Sequence, residues 1–142
     1  MAAQSRPQRT LDDAQTCPCG RGRAYGRCCG KLHNAGSAGL GTTPEDTMRA
    51  RFSAYVLGDE AFLLATWHPR TRPDGVSFPD DVTWETLQVI DATGGSFDAR
   101  GTVTFKARFR RNGTPLELHE LSSFERLDGN WVYLEGADPD QS

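Results

Sequence analysis

Between Thr43 and Val56 the apolar residues Met48, Phe52, Tyr55 and Val56 recur at intervals of three and four, the period of a helix with one buried face. Thr43 is placed to cap this helix, Pro44 suits its first position, and Glu45 and Asp46 favour its positive end. Gly58 ends it, and Asp59 offers a second cap for a shorter helix carrying Phe62, Leu63 and Trp67. The turn-rich run from His68 to Pro79, with Pro69 and Pro73, stops that helix. From Val82 the pattern changes to strands. Trp84 to Ala92 predicts the first. Phe97 to Arg111 predicts a second, in which Phe97, Ala99, Gly101, Val103, Phe105, Ala107 and Phe109 alternate with polar residues, giving one buried and one wet face. Asn112-Gly113 is a two-residue hairpin signal, and Asp128-Gly129 leads into a last strand, Trp131 to Leu134. Two helices followed by an antiparallel meander predict an α+β domain with helices packed on one face of a curved sheet.

The Asn112-Gly113 turn also fixes a register. With those two residues as the loop, Arg111 pairs with Thr114, Phe109 with Leu116, Ala107 with Leu118, Phe105 with Glu120 and Val103 with Ser122. Glu120 therefore falls on the apolar face, towards the helices. A buried carboxylate must be paired, hydrogen-bonded or neutral. The expected account is a structural pair, with Arg51 or the Tyr55 hydroxyl in reach. The alternative is an acid or base in a pocket.

Ahead of these elements, all four cysteines lie between Cys17 and Cys29, in the run CPCGRGRAYGRCCG with spacing C-x-C-x8-C-C. The polar start, Met1 to Gln15, has no apolar core and so is not a secretory signal, and no apolar run approaches the ~20 residues that span a bilayer. A cytoplasmic chain with reduced thiols is the expectation, and clustered cysteines there point to metal or redox work. Four thiolates satisfy tetrahedral Zn²⁺ at Zn–S distances of roughly 2.3 Å and close its coordination sphere, which makes the ion structural. Gly20 and Gly22 allow sharp turns, and Arg21, Arg23, Arg27 and Lys31 are placed to offset the cluster's charge. Closure by zinc can stabilise so small a loop by on the order of 10 kcal/mol. A redox pair or an iron–sulfur cluster is the competing reading, disfavoured for the first by the absence of C-x-x-C before a helix.

Charge divides the chain. Its net charge of −3 comprises +4 up to Pro44 and −7 beyond, a basic head on an acidic body. Together with the Gly- and Ser-rich run HNAGSAGLGTT this gives the expected organisation: a flexible N-terminus at 1–16, a zinc motif at 17–33, a linker at 34–43, the main domain at 44–137 and a tail at 138–142. A body that folds without the head is the corresponding expectation. His33 reads as a fifth potential ligand, but more simply as a solvated loop residue.

Two resemblances follow from these motifs. Cys17-Pro-Cys19-Gly20, Gly22, Tyr25 and Cys28-Cys29-Gly30 resemble the SEC-C motif, the zinc motif at the C-terminus of the protein-translocation ATPase SecA, with Arg21 standing where Ser is usual. The resemblance implies zinc bound by Cys17, Cys19, Cys28 and Cys29 and a docking role for the head. MRARFSAYVLGD, TWHPRTRP and ELSSFERLDGNWVY, behind such a head, resemble the YchJ-like family of uncharacterised proteins. That implies a cone-shaped body with the fold of nuclear transport factor two, whose relatives include isomerases, dehydratases and binding modules.

Three functions are then in play. The first is a zinc-containing adaptor or binding module that docks a protein partner through the basic head and a partner or small ligand on the cone. The second is a small-molecule enzyme of isomerase, dehydratase or hydrolase type, with His68, Glu120, Tyr55 and Arg51 as its candidate groups. Nucleic-acid binding by the head comes last, because the body is acidic and the basic stretch short.

Overall fold

The computed structural model describes residues 6–36 and 42–140. Residues 1–5 of the expected flexible N-terminus, 37–41 of the linker and 141–142 of the tail lie outside the described residues.

A single turn of 3₁₀ helix, Tyr25–Arg27, leads into α1 (Cys29–Ala35). Helix α2 (Pro44–Leu57) begins at a capping box: Thr43 accepts a bond from the Asp46 backbone, and the Asp46 side chain accepts one from the Thr43 backbone. Gly58 ends α2 in the left-handed conformation, and the Asp59 side chain caps α3 (Glu60–Ala65). Trp67, expected on α3, lies just past its end. There Tyr133 N–H donates to Thr66 and His68 N–H donates to Tyr133, so the segment after α3 adds a short parallel bridge to the sheet.

Four antiparallel strands follow in the order of the chain: β1 (Val82–Ala92), β2 (Arg100–Arg111), β3 (Thr114–Leu127) and β4 (Asn130–Ala137). Asn112 and Gly113 both take positive φ, 51° and 79°, as a two-residue hairpin of the primed type requires. The β2–β3 register is the one read from that turn, with Phe105 opposite Glu120. Register shifts between Trp84 and Thr86, Val89 and Asp91, and Ser123 and Phe124 interrupt the ladders, as bulges that bend and twist a sheet do. The second strand starts later than the alternation suggests. Gly95 and Asp98 close a turn on each other (Gly95 N–H to Asp98 Oδ2, 2.8 Å), and Phe97 is fully exposed at its tip.

Helix α2 is buried on two sides. Met48 and Phe52 pack into the sheet with Leu87, Val103, Phe105, Phe124 and Trp131. Ala50, Ala54 and Leu57 face the other way, onto Phe62, Leu63, Phe78, Tyr25 and all four cysteines. The head therefore shares a hydrophobic core with the body, and the separate folding expected from linker and charge does not follow from this packing. The stretch before Cys17 is also held down. Arg6 N–H donates to Phe78, Arg9 N–H to Leu57, and Leu11 packs against the same core.

Candidate functional site

The cysteine loop runs over α2. Gly20 and Gly22 take φ of +89° and +78°, and Cys19 and Cys28 bring their sulfurs to 3.4 Å. All four cysteines are buried, with their Sγ atoms within 4.8 Å of one another. Tetrahedral zinc would set its sulfurs ~3.8 Å apart, so the donor set fits such an ion in number, type and spacing. Packed this closely, the thiols cannot all ionise. The contact with Cys19 holds Cys17 well below the usual thiol range, the same contact pushes Cys19 up to about 11, and the contact with Cys17 pushes Cys29 up as well. A divalent cation removes that conflict by favouring every thiolate.

The supporting contacts differ in part from those expected. Arg21 turns to α2 and pairs with Asp46 at 2.7 Å and Glu45 at 3.5 Å, while Arg23, Arg27 and Lys31 are exposed. Arg49, absent from the sequence-based set, donates to the Cys19 carbonyl at 2.7 Å. Cys17 Sγ lies 3.6 Å from the Ser53 hydroxyl. His33 is neither ligand-like nor a solvated loop residue. It sits on α1 with its ring against Phe62, and since a carbonyl only accepts, its Nε2–H donates to Ala50 O at 2.8 Å. Nδ1 is left to accept from the Tyr25 hydroxyl. These contacts tie the cysteine loop to α2 through both backbone and side chains.

On the other side of α2 lies a cavity of about 190 Å³. Six rings line it, from Phe52, Tyr55, Trp67, Trp84, Phe105 and Tyr133, together with Arg51, Glu120 and Ser122. Arg51, Glu120 and Tyr55 are thus brought together. His68 is not among the lining residues: its Nε2 is 2.8 Å from Glu125 Oε2, and its Nδ1 accepts from Arg70 N–H.

Neither expected partner of Glu120, Arg51 or the Tyr55 hydroxyl, is bonded to it among the described residues. Arg51 is 2% exposed, and its Nη1 donates to Leu63 O and Thr66 Oγ1, each at 2.8 Å. Its guanidinium carbon lies 4.7 Å from the centre of the Trp67 ring and 4.6 Å from that of Tyr133. Burial pushes Arg51 down to about 10 and Tyr133 up to about 12, and it raises Tyr55. Glu120 is half-buried and accepts from Ser122 Oγ at 2.7 Å. Among the described residues it has no ion pair within 4.0 Å. Gly136 on β4 makes room for it, since a Cβ there would collide with the Glu120 carboxyl group.

Residues 43–136 match the family model described as the YchJ middle NTF2-like domain, and residues 15–31 match the SEC-C motif. A UPF0225 protein of Streptomyces coelicolor is 46% identical over 121 residues, covering 84% of this chain and 93% of its own. The chain belongs to the YchJ-like UPF0225 family. A UPF0225 protein of Bordetella pertussis is 43% identical over 122 residues, covering 84% of this chain and 90% of its own. Two solved structures are similar. The solution structure of a SEC-C motif containing protein from Rhodopseudomonas palustris has a TM-score of 0.78 at 32% identity, covering 89% of this chain and all of that one. The crystal structure of a SEC-C motif containing protein from Psychrobacter arcticus has a TM-score of 0.71 at 28% identity, covering 94% and 86%. The SEC-C match contains all four cysteines, and the NTF2-like match contains every residue lining the cavity. No helix among the described residues is long and apolar enough to cross a membrane.

Proposed function

We propose that this chain is a binding module in which zinc, held by Cys17, Cys19, Cys28 and Cys29, staples the head to α2 while the cone takes a small ligand. The observation that carries the reading is the cavity, an aromatic enclosure interrupted by one half-buried carboxylate. Four thiolates leave zinc no open position, which gives it a structural role. The exposed Arg23, Arg27 and Lys31 support docking of an acidic protein partner at the head. Four cysteines needed as reduced ligands fit the cytoplasm.

Elemental analysis of the full chain should find about one zinc per molecule. No zinc after growth in zinc-replete medium, or an iron–sulfur absorbance, removes the staple. Thermal melts across a small-metabolite library should find compounds that stabilise the wild type but not Phe105→Trp, whose larger side chain fills the cavity. A library without such a compound counts against ligand binding. An isomerase-, dehydratase- or hydrolase-type enzyme is the second reading, favoured by Glu120 lying among Tyr55, Tyr133 and Ser122. It ranks second because His68 is engaged elsewhere, and conversion of a stabilising compound, followed by mass spectrometry, would reverse the order.

A further inference from the structure

We infer that the cone cavity is a site for a small organic cation, an alkylammonium group seated on the Glu120 carboxylate within the aromatic wall. The inference rests on the binding-module reading and names the ligand class of that site. Glu120 has acceptor capacity to spare. An ionised carboxylate offers about four lone-pair sites, and the bond from Ser122 Oγ occupies one of them. Arg51, the cation that shares the cavity, interacts with Glu120 through space but makes no ion pair with it. Arg51 is almost wholly buried, its Nη1 is shared between Leu63 O and Thr66 Oγ1, and its charge lies over the rings of Trp67 and Tyr133.

The wall is suited to positive charge. Aromatic faces attract a cation within ~6 Å of the ring centre, and two of these rings already hold a guanidinium in that way. Tyr55 and Trp84, 6.0 Å apart, and Phe52 and Phe105 complete the enclosure on the side of β1 and β2. An anion would meet the Glu120 charge and find Arg51 already engaged. A neutral apolar guest would strip water from Glu120 without replacing its hydrogen bonds. A cation also meets the charge of Arg51, which is spread over the Trp67 and Tyr133 rings, and it alone satisfies the open lone pairs of Glu120. Size sets a further limit. The cavity, at about 190 Å³, exceeds a ~150 Å³ cavity that accommodates benzene and falls below the ~300 Å³ at which drug-sized sites begin.

The test is a titration of the zinc-loaded full chain, followed through the indole resonances of Trp67 and Trp84. The probes are choline and n-butylammonium, the uncharged choline analogue 3,3-dimethylbutan-1-ol, and the anion 3,3-dimethylbutanoate. At least one cation should perturb both indoles and bind about tenfold or more tighter than the uncharged analogue. Glu120→Gln should abolish that preference and leave the analogue bound at least as tightly as before, since a neutral amide costs less to desolvate than a carboxylate. Trp84→Leu, which keeps the charge and removes one ring, should weaken the cation by a smaller factor, and it serves as the second variant should Glu120→Gln fold poorly. Equal binding of cation and analogue overturns the inference but leaves a cavity that binds by shape. Tightest binding by the anion overturns it in favour of Arg51 as the recognising charge. Silence of both cations at millimolar concentration overturns it whatever the metabolite library yields.

Discussion

A guanidinium at 2% exposure is desolvated and must be held by its surroundings, and Arg51 is held by a carbonyl, a hydroxyl and two rings. Removing it leaves Leu63 O with only a long 3.4 Å contact from Thr66 Oγ1, takes away the bond that Thr66 Oγ1 accepts, and opens a void between Trp67 and Tyr133. Arg51→Ala should therefore lower the unfolding free energy by about 3 kcal/mol or more in urea titrations. Arg51→Lys should recover only part of this, because an ammonium that reaches the two acceptors lacks the flat delocalised group that lies over both rings. Glu120→Gln differs in kind. With no ion pair to lose and a half-buried side chain, the variant should stay within about 1 kcal/mol of the wild type by the same measurement. A loss of several kcal/mol would show that Arg51 and Glu120 depend on each other after all. The position of Glu120 was legible because a two-residue turn fixes every pair along both strands. Its partner was not. Thr66 and Trp67 reach Arg51 only because the chain after α3 returns to bridge β4 at Tyr133, a long-range contact that no local pattern encodes.

At the scale of elements, α2 carries both halves of the molecule, and only one of its faces was readable. Met48 and Phe52 are large and periodic, and they mark the side that meets the sheet. Besides Leu57, the opposite side carries Ala50, Ser53 and Ala54, small residues that hydrophobic periodicity passes over, although their size is what lets the cysteine loop approach. The start of the helix was fully legible, since capping chemistry is local. It also carries a pH dependence. Burial tends to raise the pKa of Asp46, but bonds from Thr43 and Arg21 outweigh it and leave the carboxyl below its ordinary 3.8. A folded value below the unfolded one means that the stabilisation is complete above the unfolded pKa and is lost as pH falls through the folded pKa. Asp46→Asn should then be less stable than the wild type by about 1 kcal/mol at neutral pH, with the gap narrowing below about pH 4. Paired chemical denaturation curves across that range give the difference directly. A gap that does not change with pH would mean that the carboxylate charge contributes nothing to the cap.

For the whole molecule, the split of +4 and −7 between head and body has a partner inside the chain. Arg21 of the head pairs with Asp46 and Glu45 at the acidic start of α2, and Arg49 of the body reaches back to Cys19 O. The charge asymmetry was plain in the sequence, whereas its internal use depends on how the cysteine loop lies against α2. Through Ala50, Ala54, Leu57, Phe62 and Leu63, the cysteine loop supports the helix whose far side packs on the sheet. Loss of the proposed zinc should therefore reach the sheet as well as the loop. On chelation of the full chain, near-ultraviolet signals from Trp84 and Trp131 should weaken together with any signal from the head, and the melting transition should move down as a single step, because a structural zinc can contribute on the order of 10 kcal/mol to the fold around it. A chain beginning at Gly41 should behave like the chelated protein, since truncation exposes the Ala50–Ala54 face and leaves Phe62 and Leu63 without the cysteines and Tyr25. Circular dichroism melts of wild type, chelated wild type and truncated chain make the comparison. A truncated chain that unfolds cooperatively at the wild-type midpoint would show that the head only decorates a self-sufficient cone.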